Sequence, residues 1–202
     1  MPNTNPNTVP PVTHAEDARR ARRAMGAVFF VPFGAAWLAL GESRILAAPK
    51  IAYAVIATVA VFLLWLTISV RKQALRKAGP LPAPTEDDRR TKKWFHAVNA
   101  GQWILIAVLG IVLLNVGLGA WVIPLAMFII GAHFLALARL FFVASHYVTG
   151  TALMALACLY PFATAAGPAS GVGPVLAGLI LWASAGYALR PAGKRTVRRM
   201  ST

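Results

Sequence analysis

Six apolar runs, the first short and the others roughly the twenty residues needed to cross about 30 Å of hydrocarbon, constrain this chain more than any other feature. None of them contains an Asp or Glu. Hydrocarbon offers backbone amides no partner, so runs of this length must close their hydrogen bonds within helices. With 58% hydrophobic and 13% charged residues, the 202-residue chain also lacks the charged surface of a soluble domain. The sequence therefore reads as all-α, a polytopic transmembrane helix bundle of six spans.

Residues 1–13 are polar and proline-rich, which predicts a disordered tail. Thr13 and Glu16 have the spacing of a capping box, placing a helix start near His14. Arg19, Arg20, Arg22 and Arg23 precede the first span, Met25 to Leu40, which reads as an uncleaved signal anchor with a kink at Pro32. Gly41 to Arg44 interrupts the apolar pattern, with Glu42 and Arg44 expected as a local surface pair. The second span, Ile51 to Val70, completes a first portion over 14–70.

Residues 71–96 form a basic, proline-rich connection that ends in Trp94, Phe95 and His96, the aromatic mark of a water–lipid boundary. Residues 97–189 hold four more spans: Ala97 to Gly117, Ala120 to Ala144, Val148 to Ala165 and Val172 to Leu189. Turns are expected at Gly117–Gly119, Ser145–Tyr147 and Gly167–Gly171. Residues 190–202 are a basic tail. Ala132 with Ala136, and Gly173 with Ala177, are spaced four apart and predict close helix approach.

Charge fixes the expected orientation. The chain carries a net charge of +14, and its basic residues crowd beside the apolar runs. The first tail, the 71–93 connection and the last tail hold nearly all of them, against only Arg44 and Lys50 on the opposite side. Short loops rich in Lys and Arg stay in the cytoplasm, which makes both termini cytoplasmic (N-in/C-in) in a cytoplasmic (inner) membrane. The partners this implies are the lipid bilayer and anionic phospholipids at its cytoplasmic face. No aromatic-rich basic module accompanies the charge, so nucleic acid is set aside. Homo-oligomers are left open.

Within the spans, His133 falls near the midplane, and Arg139 lies about 9 Å further along at 1.5 Å per residue. Charge-capable groups are expensive there, so both are candidates for ligand contact. Gln102, Tyr147 and Tyr187 approach the depth of Arg139, while Asn115 and Tyr160 fall on the outer side. Six helical positions separate His133 and Arg139 by about 120°, so one cavity need not hold both. His146 would share the face of Arg139 only if the helix ran on. No HxxxH, CxxC or HExxH spacing occurs, so no metal or other cofactor is expected. The one cysteine, Cys158, reads as a packing residue and excludes an intrachain disulfide.

The run Gly131-Ala132-His133-Phe134-Leu135-Ala136-Leu137-Ala138-Arg139-Leu140-Phe141, followed by Tyr147-Val148-Thr149-Gly150, resembles the G-x-H-F-x-P-L-A-R-L-F and Y-x-T-G core of a family of small, uncharacterised bacterial integral membrane proteins. The resemblance covers about twenty residues firmly and the rest of the chain through span number and size. Ala136 stands where that pattern has proline, so a kink there need not follow. The resemblance implies no activity; it implies that the His and Arg belong to one local structure. Three functions remain open. They are a non-enzymatic protein binding a small polar, anionic or lipid-derived ligand or a membrane partner, a small transporter or channel, and an intramembrane enzyme pairing His133 with Tyr160, Cys158 or Thr149.

Overall fold

The computed structural model describes residues 11–47, 49–78 and 85–190, and every regular element among them is helical. The α-helices are α1 (Pro11–Ile45), α2 (Lys50–Ala78), α3 (Glu86–Asn115), α4 (Val122–Phe141), α5 (Ala144–Ala163) and α6 (Val172–Leu189). Short 3-10 turns at Gly119–Trp121 and Gly167–Ala169 lead into α4 and α6. The expected tails, 1–13 and 190–202, fall for the most part outside the described residues.

Five helices are long and apolar enough to cross a membrane: α1 from Gly26 on, α2, α3, α4 with its preceding turn, and α6. The fifth helix, α5, falls outside that set because Ser145, His146, Tyr147, Thr149 and Thr151 dilute the apolarity of its first half. Large apolar side chains cover the outer faces, among them Ile51 at 82% exposure and Val61 at 68%. A surface so apolar belongs against acyl chains, as in a membrane protein.

Several boundaries differ from expectation, each for a local reason. Helix α1 begins at Pro11, ahead of the expected Thr13–Glu16 cap, and runs through Gly41-Glu42-Ser43-Arg44 to Ile45. Arg44 turns away from Glu42, and its guanidinium donates to the Ala169 carbonyl at 3.1 Å, which ties the end of α1 to the α5–α6 connection. Helix α2 continues past the apolar run to Ala78. Helix α3 starts at Glu86, where Thr85 and Asp88 form a capping box. The basic connection is thus largely made of helix extensions, with 79–84 outside the described residues.

Packing sets the lateral order α2, α1, α6, α5, α4, α3. Two glycine-lined crossings dominate it. A Cβ built on Gly178 of α6 would stand 2.7 Å from the Gly34 carbonyl of α1. One on Gly131 of α4 would stand 2.8 Å from the Gly150 carbonyl of α5. At the first crossing the Trp182 indole donates to the Val31 carbonyl at 3.0 Å. Between α5 and α6 the Thr149 and Ser184 hydroxyls bond at 2.8 Å. Gly173 makes room for the ring of Tyr160, and Ala177 is fully buried. The expected Ala132–Ala136 pair does not serve as a close approach, since Ala136 is exposed and Gly131 takes that part. Met127, Val31, Leu153 and Leu181 fill the shared core.

Gly178→Ala should lower the thermal midpoint of the purified protein, costing about 2 kcal/mol, since overpacked contacts cost about 1–3 kcal/mol. Gly101→Ala, with nothing within 4 Å of the new methyl, should leave it unchanged or raise it by up to about 1 kcal/mol of helix propensity. Equal effects at the two positions would contradict the backbone-contact account.

Candidate functional site

The chain reverses between α4 and α5 in two residues, and neither is glycine. Phe142 takes a left-handed conformation, φ 53 and ψ 41, the one positive φ among the described non-glycine residues. The amides of Phe142 and Val143 both reach the Ala138 carbonyl, the latter at 3.1 Å. They thereby satisfy a carbonyl that the helix end would otherwise strand. A side chain in that region costs roughly 1–2 kcal/mol. Helix α5 then starts from an extended Val143 with no side-chain cap. The expected turn at Ser145–Tyr147 lies three residues earlier, and those residues are the first turn of α5.

This elbow borders a wide-open surface concavity of about 470 Å³ lined by Ala138, Arg139, Phe142, Ala144 and Tyr147. Arg139 is exposed and makes no hydrogen bond or ion pair among the described residues. Arg89 and Glu86 of α3 stand 4.0 Å apart as an ion pair, far from this elbow in the chain. The remaining lining is mostly apolar, and Phe142 projects from its rim at 93% exposure. Arg139 and Tyr147, both candidates from the sequence, are brought together here across the turn. Phe142 was not anticipated, because nothing in Leu140-Phe141-Phe142-Val143 signals a helix stop.

His133 does not line this concavity. Its ring lies instead beside that of Phe134, which also meets His146 of α5. The two imidazoles flank Phe134, at centroid distances of 6.0 and 5.9 Å. Phe30 of α1 closes the group, 5.3 Å from Phe134 and 5.6 Å edge-on from His146. Both Nδ1 atoms are buried and have no hydrogen-bond partner. The junction joins α1, α4 and α5, and aromatic pairs of this kind contribute about 0.5–1.5 kcal/mol each. His146 was legible as a residue but not as a neighbour, because its position depends on where α4 stops.

The other candidates scatter. Gln102 is half-buried on α3, one turn beyond Val98. Tyr187 is exposed and lies under the Arg190 guanidinium, 5.6 Å from its ring centroid. Asn115 bonds the Ile111 carbonyl of its own helix at 2.8 Å. Tyr160 is buried and donates to the Pro168 carbonyl at 3.2 Å. These last two stand at the opposite end from the elbow. Thr149 is held by Ser145 and Ser184, and Cys158 is exposed, so neither is bonded to His133. Among the described residues no group of three or more His, Cys, Asp or Glu could hold a metal ion.

Phe142→Gly should raise thermal stability by about 1 kcal/mol, because glycine enters the left-handed region without the Cβ penalty. Phe142→Val should lower it, and a chemical or thermal melt of both variants measures the signs. Comparison of the chain with protein-family models, curated proteins and solved structures gave no match in any of the three.

Proposed function

We propose that this is a six-span membrane protein with both termini in the cytoplasm, and that it binds an anionic ligand at the α4–α5 elbow without transforming it. The observation that carries the reading is Arg139, a guanidinium on an otherwise mostly apolar concavity with no carboxylate opposite it. A cation placed so seeks an external anion, and guanidinium presents a fork of donors suited to phosphate or carboxylate oxygens. Counting α5 as the sixth span puts the basic ends of α2 and α6 on the same side as the elbow, in keeping with the bias of short basic segments toward the cytoplasm. A binding rather than catalytic role fits the absence of any bond between His133 and Thr149, Cys158 or Tyr160 among the described residues.

A transporter is the second reading, favoured by Pro32 inside α1 and Pro161 inside α5. Both helices run unbroken through their prolines, and a carbonyl that a proline leaves without its helical donor is free to meet a passing solute. Solute flux into vesicles containing the full chain would support it.

Two measurements test the first reading. A fluorescent-protein reporter fused after Thr202 should be active in the cytoplasm, and activity of a periplasm-dependent reporter there would overturn the orientation. Native mass spectrometry of the full chain extracted from membranes should show a retained acidic adduct that Arg139→Gln loses. Wild type and variant with the same adducts, or none on either, would remove the elbow as the site.

A further inference from the structure

Resting on the elbow as an anion site, we infer that its occupant is an anionic phospholipid, with the phosphate on Arg139 and the glycerol and upper acyl region against Phe142. Three observations lead there. The concavity offers one cation in a setting made otherwise of Ala138, Phe142, Ala144 and the ring of Tyr147. A small free anion would use the guanidinium and leave those apolar walls without purpose, whereas an amphiphile uses both.

Phe142 supplies the second observation. Glycine would make the same turn without strain, yet a phenyl ring stands there at 93% exposure and stacks on no other ring among the described residues. Whatever the ring contributes comes from outside the described residues. At the end of α4, on the side of the basic helix ends, the medium around it is the boundary between headgroups and acyl chains, where aromatic side chains sit favourably.

The third is the surface that leads away from the site. Phe141, at 42% exposure, and Val148, at 72%, flank the elbow, so an acyl chain leaving the headgroup position meets apolar side chains. The net charge of +14 and the absence of an acid beside Arg139 favour a lipid with net negative charge over a zwitterionic one.

The test titrates the purified full chain in neutral detergent with phosphatidylglycerol, phosphatidylcholine or inorganic phosphate and reads the thermal midpoint. Phosphatidylglycerol should raise the wild-type midpoint saturably and phosphatidylcholine far less. Arg139→Gln should raise the half-saturating phosphatidylglycerol concentration about tenfold, the equivalent of about 1.4 kcal/mol. Phe142→Gly should raise that concentration while also raising the lipid-free midpoint, a pair of opposite effects that general destabilisation cannot produce. Lys72→Gln, on the exposed end of α2, should leave it unchanged.

An equal loss in Lys72→Gln would mean diffuse charge attraction and overturn the elbow as a lipid seat. Equal shifts from the two lipids would overturn the anionic class. Stabilisation by inorganic phosphate alone, dependent on Arg139, would overturn the lipid while keeping the elbow as an anion site. No shift from any of the three would overturn both.

Discussion

Helices already in hydrocarbon gain nothing from hiding apolar side chains from water, so their association rests on how closely their backbones meet. In this chain the closest meetings are made by glycine against glycine: Gly34 with Gly178 and Gly41 with Gly171 between α1 and α6, and Gly131 with Gly150 between α4 and α5. At each, an added Cβ would collide with the opposing carbonyl, so dispersion contacts run along the backbones themselves. The result is two tight pairs joined by a looser seam. That seam consists of the Thr149–Ser184 bond, the Tyr160 ring over Gly173, and the aromatic group around Phe134. The loop at the far end is pinned by Arg44 on Ala169 and Tyr160 on Pro168.

Composition made the helical class and the apolar runs legible, because length and hydropathy are local properties. The sixth helix, Val172–Leu189, was read with its observed limits, since Gly171 and the end of the apolar run bound it clearly. Gly41 shows the opposite case. In sequence it looks like the start of a break, but its role is set by Gly171, 130 positions away in the chain, and nothing nearby announces it. Likewise the Thr85–Asp88 capping box was present in the sequence, yet the prolines before it drew the reading toward an extended connection.

The site was legible in part, and the missing part has a single cause. Arg139 and Tyr147 were candidates from depth and charge alone. Their meeting depends on the reversal at Phe142, which uses a left-handed residue with no glycine, asparagine or proline to mark it. Placing the turn three residues late also hid His146, which the true turn sets against Phe30 and Phe134. One misread helix end thus concealed both the concavity and the junction.

The stretch from Gly131 to Gly150 then has an internal logic that explains why its two ionisable side chains part company. Its first and last residues are the two glycines that meet across the α4–α5 crossing, so the stretch is one closed hairpin. Six positions of helix turn His133 and Arg139 to different sides of α4. His133 packs beside Phe134, whose ring with that of His146 meets Phe30 and so joins α1 to the hairpin. Arg139 faces outward beside the elbow that this packing holds in place. A guanidinium on a freely bending loop would lose side-chain and backbone entropy on meeting an anion. Here much of that ordering is already imposed by the glycine crossing and the imidazole junction. The imidazole and the guanidinium thus stand on one rigid hairpin, the first packed in the aromatic junction and the second exposed beside the elbow.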